Sequence, residues 1–273
     1  MLTEIDLSED ESPATDKSQT PADGLQPFSL LEGDELPSGR KAVVIGMRGK
    51  VQRAFTLAMQ RKTPTAPQDA CNALVLGCLE SLDGKAPTMA DVLAMHGADW
   101  LAVLLRARRR TWQKDNLVTF EWTCAPPYVT DGCDASTIAK DRRKIKKALD
   151  LDSLTSAPAE QPRKATLPGG KVLTYDPPTA SGSLAYAKLR RGESTYDTFQ
   201  AILSRGVKLD GERATEEMLD DLGAADIDAI NAELKRRGGP RTDFASTCPR
   251  CGGLYESNIE ALPGFFSPRA SGR

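Results

Sequence analysis

The sequence predicts a mixed α/β (α+β) protein of two related small lobes, joined at a cluster of cysteines and preceded by an acidic tail. Three observations carry that expectation. Strand-like alternation at 42–46 and 117–123 is interleaved with helical periodicity at 49–62, 67–82 and 98–112. A run of motifs in the first half recurs, in the same order, in the second. Two pairs of cysteines stand at equivalent places in the two runs. The chain has 273 residues, 40% hydrophobic and 27% charged. That is enough for one large or two small cores and too apolar for disorder throughout.

Residues 1–24 hold seven acidic side chains and one lysine, in a setting of Ser, Thr and Pro without periodicity. They read as a disordered acidic tail of net charge −6, leaving about +4 on the remainder of a chain whose total is −2. The opening MLTEIDLSEDES lacks the apolar stretch of a signal peptide, and no run of about 18 apolar residues exists to span a membrane. Order is expected to begin near Phe28-Ser-Leu-Leu31.

From there the elements follow in turn. Leu36-Pro-Ser-Gly39 is a turn, and Ala42-Val-Val-Ile-Gly46 a strand. Helices are expected at 49–62 and, after Pro67, at 67–82. Cys71 and Cys78, seven apart, fall on one face of the latter and read as core. Thr88 and Asp91 form a capping box, with Asp in place of Glu. The helix 98–112 carries Trp100, Leu101, Leu104 and Leu105 beside a basic cluster. Residues 137–150 read as a basic helix or connector, and 152–166 as a linker rich in Pro, Ser and Ala. The expected organisation is a tail at 1–24, a first lobe at 25–136, a basic helix and linker at 137–166 and a second lobe at 167–273.

The internal echo begins at Leu36-Pro-Ser-Gly39 and Leu167-Pro-Gly-Gly170, each running into a strand-like segment. Helices at 51–58 and 184–189 follow. Gly97-Ala-Asp99 is then echoed by Gly223-Ala-Ala-Asp226, and Phe120-Glu-Trp-Thr-Cys124 by Phe244-Ala-Ser-Thr-Cys248. Two such copies make a pseudo-repeat, too short for a solenoid.

The chemistry concentrates in the cysteines. Cys248-Pro-Arg-Cys251-Gly252 is the pattern of a zinc knuckle: two thiolates grip one ion, and the glycine permits the tight turn. Structural zinc takes four ligands. The echo supplies the second pair as Cys124 and Cys133, with eight residues between them where the knuckle has two. Cys124, Cys133, Cys248 and Cys251 would then bind structural zinc as a ribbon between the lobes. An unoccupied knuckle, a disulfide and a redox Cys-x-x-Cys are the alternatives.

One histidine, His96, in the whole chain excludes chemistry built on histidine pairs or three-histidine metal sites. Placed before Gly97, it reads as a helix-end residue. Gly169-Gly-Lys171 lacks the upstream glycine and following Ser/Thr of a P-loop. No paired carboxylates stand out, so the expectation is a non-enzyme without a small-molecule substrate. The basic runs 106–110 and 140–147 give the rival expectation of a zinc-ribbon nucleic-acid binder. Against it stand an aromatic content of only 5%, which leaves few stacking platforms, and the ordinary preference of Arg and Lys for helix C-termini.

Leu36-Pro-Ser-Gly39, Gly97-Ala-Asp99, Phe120-Glu-Trp-Thr-Cys124, Cys248-Pro-Arg-Cys251-Gly252 and the closing Leu262-Pro-Gly-Phe-Phe266 together resemble a family of contractile-tail bacteriophage proteins, the T-even-type baseplate hub assembly family. The resemblance spans about 25–266, and the widened first cysteine pair departs from the family pattern. It implies a protein that builds the tail baseplate, either as an assembly chaperone or as a retained component. Phage tail and baseplate proteins would be its partners, and it would act in the host cytoplasm or the virion baseplate. Phe28, Leu30 and Leu31 with Phe265 and Phe266 are the apolar residues expected to face a tail subunit, unless the last two cap the second core.

Overall fold

The computed structural model describes residues 26–29, 33–63, 65–112, 117–123, 144–180, 202–203, 206–235, 238–249, 251–252 and 254–258. Over these it is an α+β protein in which every strand pairing is antiparallel. The tail 1–24, Leu30, Leu31, Cys124, Cys133, the helix at 184–189 and Phe265-Phe266 lie outside the described residues.

The first core is built around two packed helices, α1 (Gly49–Met59) and α2 (Ala66–Cys78). Phe55 and Ala58 of α1 are buried, with Val51 packed against the same cluster. The approach is close because α2 carries Gly77 there: a Cβ at that position would lie 2.6 Å from a methyl of Val51. Pro67 occupies the first turn of α2, where its missing N–H costs nothing. The helix stops at Cys78 and the next four residues form β3 (Leu79–Leu82), against β2 (Ala42–Val44). A helix running on to 82 was expected. The pairing of Ala42 with Leu82 and Val43 with Ser81 draws those residues into a strand instead.

Helix α3 (Met89–Ala94) opens on the expected capping box: the Thr88 N–H donates to Asp91 at 2.8 Å, and the Asp91 N–H to the Thr88 hydroxyl at 3.3 Å. Helix α4 (Gly97–Thr111) buries eleven of its fifteen residues. It lies through the first core with Leu101, Val103, Leu104 and Leu105 essentially inaccessible. After it, β4 (Leu117–Thr123) pairs along its full length with β5 (Lys144–Asp150), from Leu117 opposite Asp150 to Thr123 opposite Lys144. The segment 137–150, expected as a basic helix or connector, is strand over 144–150. Its partner strand, distant in sequence, overrides local propensity.

The expected linker 152–166 also carries structure. A 3-10 turn (Leu151–Ser153) leads to β6 (Thr155–Ala157), the middle strand of a small sheet between β1 (Gln26–Pro27) and β11 (Gly239–Pro240). β7 (Arg163–Thr166) then pairs with β8 (Val172–Tyr175), extended by β9 (Lys208–Leu209) and β10 (Glu212–Arg213) into a four-stranded sheet. Leu173, Tyr175, Ile202, Leu209, Leu219 and Ile230 form a second core beneath it, closed by α5 (Glu216–Asp220) and α6 (Ala224–Lys235). The last described elements are β12 (Asp243–Thr247) and β13 (Leu254–Asn258), a hairpin.

Several local contacts of the first half have counterparts in the second. At Leu36 the N–H donates to the Arg40 carbonyl and the Gly39 N–H to the Leu36 carbonyl; Leu167 with Lys171 and Gly170 make the same bonds, all at 2.8 Å. Ala42 faces Leu82 as Leu173 faces Leu209. Asp83 and Asp210 both have φ of 52°, each followed by a positive-φ glycine. Each accepts from a strand N–H through its carboxylate and donates its own N–H to a strand carbonyl: Asp83 both to Lys41, Asp210 both to Val172. Thr88 and Thr215 cap the following short helices by accepting from the N–H three residues on.

Candidate functional site

The Cys248 motif closes the β12–β13 hairpin. Thr247 opposite Leu254 is the last ladder pair, so residues 248–253 form the connection. The Gly252 N–H donates to the Cys248 carbonyl at 2.8 Å, and Gly252 takes a φ of +70°, which only glycine adopts without strain. This is the tight turn that the Cys-Pro-x-Cys-Gly spacing called for. Cys248 is buried and Cys251 half-buried. Ser246 lies on the same face of β12 as Cys248, and its buried hydroxyl has no hydrogen-bond partner among the described residues.

Two thiolates on one turn are half of a tetrahedral donor set, and they fit zinc better than any hard cation. No group of three or more metal-type ligands gathers among the described residues. Cys124 and Cys133, the other expected ligands, lie outside them. Cys124 follows directly on Thr123, the last residue of β4. Val118 of β4 and Phe244 of β12, the strands that precede Cys124 and Cys248 in sequence, both pack in the first hydrophobic cluster.

Other expected site residues are engaged within the fold. Arg106, Arg108 and Arg109 are buried. Arg106 donates to the Glu35 carbonyl at 2.8 Å and stacks over the Phe28 ring at 4.9 Å. Burial lowers its guanidinium below its ordinary range. Arg109 grips Asp152 with two bonds, 2.8 and 2.9 Å, and Arg110 donates to the Val44 carbonyl. The run 106–110 thus ties α4 to its surroundings instead of facing solvent. Phe28, expected on a docking surface, is buried beneath Arg106. In the other run, 140–143 lies outside the described residues and Lys144–Lys147 belongs to the β5 ladder.

His96, expected at the end of the helical segment 89–97, instead stands at the N-terminus of α4, since α3 stops at Ala94. Its Nδ1 accepts from the Ala98 N–H at 3.0 Å, capping α4, while Nε2 meets the Glu160 carbonyl at 3.0 Å. The Nδ1 acceptor leaves the proton on Nε2, so the ring donates to Glu160. The strand-like bridge of His96 with Thr179 and the bond from Gly97 N–H to the Pro178 carbonyl at 2.7 Å lie beside it. The single histidine therefore stands where the first half meets the segments that lead into the second.

Sequence reasoning passed over two pairs of polar residues that organise both halves. Asp99, the third residue of α4, accepts from Ser38 N–H at 2.9 Å and from its hydroxyl at 2.5 Å. Asp226, the third residue of α6, accepts from Gly169 N–H at 2.7 Å. Asp99 lies two residues after Gly97 and Asp226 three after Gly223, so the glycines of the echo do not hold the same place relative to these aspartates. The turn aspartates Asp83 and Asp210 were signalled by Asp-Gly dipeptides. No family model matches the chain, and no curated protein or solved structure is detectably similar to it.

Proposed function

We propose that the chain is a non-enzymatic assembly protein of a contractile-tail baseplate, acting through protein–protein contact as a chaperone or a retained component. In this reading two copies of one α/β unit, each a Leu-Pro-x-Gly turn, a strand, an Asp-Gly turn and an aspartate-clasped helix, are stapled by zinc. Cys248 and Cys251 would hold the ion with Cys124 and Cys133, and zinc when bound would supply metal–thiolate bonds whose energy is also folding energy. The observation that carries the reading is that Val118 of β4 and Phe244 of β12, the strands that precede Cys124 and Cys248 in sequence, pack in one hydrophobic cluster, which favours one site over two separate thiol pairs. It is supported by the engagement of His96, Asp99, Asp226 and Arg109 in holding segments together, which leaves them with structural tasks.

Two measurements test it. Tagged protein recovered from the producing cells at moderate salt with nuclease is expected to bring down tail or baseplate subunits. Recovery of nucleic acid alone would replace the reading with the rival binder. Metal analysis of the purified full chain is expected to find one zinc per chain, lost in both Cys248→Ser and Cys124→Ser. Zinc retained in Cys124→Ser would remove the four-thiolate site.

A further inference from the structure

The outer side of α1 with its flanks is rich in exposed cations. Between Glu35 and Asp69 the sequence has no acidic residue, while Arg40, Lys41, Arg48, Lys50, Arg53, Arg61 and Lys62 fall in that interval. Arg40 is paired with Asp83 at 2.8 Å. Arg48, Lys50, Arg53, Arg61 and Lys62 are exposed and have no acidic partner among the described residues. Lys50, Arg53 and Leu57 stand at i, i+3 and i+7, one face of the helix, away from the face that buries Phe55 and Ala58. Leu57 and Met59 are the two most exposed large apolar residues described, at 57% and 46%. Asp69, the first acid after the interval, accepts from the Thr65 hydroxyl at 2.8 Å.

Such a face disfavours the chain's own stability, because like charges repel with nothing between them. Its pattern, cations around a protruding leucine, suits an acidic peptide with apolar residues better than a bare phosphate backbone. That chemistry is present in the chain itself. Residues 1–24 carry Glu4, Asp6, Glu9, Asp10, Glu11, Asp16 and Asp23, with Leu2, Ile5 and Leu7 among the first of them. The net charge of −6 on this segment nearly balances the five unpaired cations. About 25 residues span up to roughly 80 Å when extended, ample to reach α1 from Gln26.

We infer that the outer face of α1 is a docking surface occupied by the acidic segment 1–24 of the same chain, through Arg48, Lys50, Arg53, Arg61 and Lys62 and the apolar contact of Leu57. The inference does not depend on the baseplate reading.

Zero-length carbodiimide coupling of the full chain, which joins a carboxylate only to an amine in contact with it, reads the docking directly. Peptides linking 1–24 to Lys50 and Lys62 are expected to dominate over links to the exposed Lys85, Lys164 and Lys208. Neutralising Arg48, Arg53 and Arg61 to Gln is expected to lower their yield roughly five- to tenfold, with thermal unfolding unchanged within a few degrees. Even yields at all exposed lysines, or yields indifferent to these substitutions, would overturn the proposal. So would links that join isotopically light to heavy chains in a mixed sample, since the occupant would then be a second copy. A protein whose 1–24 links appear only after nuclease digestion would identify nucleic acid as the occupant and overturn it equally.

Discussion

The carboxylate of Asp99 holds Ser38 from 61 positions away, one oxygen on the backbone N–H and the other on the hydroxyl. Asp99 is fully buried at the start of α4, and the turn it grips launches β2. One buried residue thus fixes where a strand begins relative to the helix behind it. In the second half Asp226 does the same with Gly169 alone, because a Cβ at Gly169 would lie 2.5 Å from an Asp226 oxygen.

Asp99→Ala leaves the half-buried N–H and hydroxyl of Ser38 without their acceptor and is expected to cost about 2–3 kcal/mol in denaturant unfolding. Ser38→Gly, which reproduces the second half's arrangement, should cost only about 1 kcal/mol. If the two substitutions cost the same, the clasp is not what holds the turn.

Gly77→Ala would ordinarily stabilise a helix by about 0.8–1 kcal/mol. Here the new methyl meets the stiff, β-branched Val51, so a net loss of roughly 1–2 kcal/mol is expected. Combining it with Val51→Ala should recover part of that loss, and a double-mutant cycle measures the coupling. Strict additivity would mean that α1 and α2 are not pressed together at this point.

Cys78 is inaccessible in α2, and burial pushes its thiol from 9.0 up to about 12. The folded chain keeps the proton where the unfolded chain would release it. Stability is therefore complete below pH 9 and declines between pH 9 and 12. Unfolding midpoints measured across that range should fall less steeply in Cys78→Ala, and native Cys78 should resist alkylation at pH 8. Rapid native-state labelling of Cys78 would contradict its placement.

Arg109 and Asp152 form a two-pronged bridge that is buried at the arginine end, and the aspartate raises the guanidinium above its usual range. Asp152→Ala is expected to cost about 2–3 kcal/mol, with little dependence on salt. Asp83→Ala breaks the exposed pair with Arg40 and also the bond from Lys41 N–H, so only the ion-pair part of its cost should fade in salt. Arg109→Gln should lower stability without altering nucleic-acid retention, the reverse of what a basic binding run would show.

What the sequence made legible was local. The capping box at Thr88 and Asp91, the helix α4 and the alternating β4 each follow from residues within a turn or two of one another. What stayed hidden depended on distant partners. Leu79-Glu80-Ser81-Leu82 continues a helical pattern until β2 claims it, and Lys144–Asp150 reads as a basic helix until β4 lies alongside. Thr155-Ser156-Ala157 has no pattern of its own and becomes a strand by sitting between Gln26-Pro27 and Gly239-Pro240. In the candidate metal site, the turn geometry at Cys248 followed from Pro, Cys and Gly in sequence. The packing of Phe244, on the strand before that turn, against the first core did not, because that contact spans the two halves.

A chain with one imidazole carries its own spectroscopic label. Both ring nitrogens of His96 are in use, one on the α4 cap and one on Glu160. The nitrogen shifts and tautomer of a single resonance set would thus follow the seam between the halves in the unmodified protein, with no assignment problem. Any partner, metal or substitution that loosens that seam would be visible in one ring.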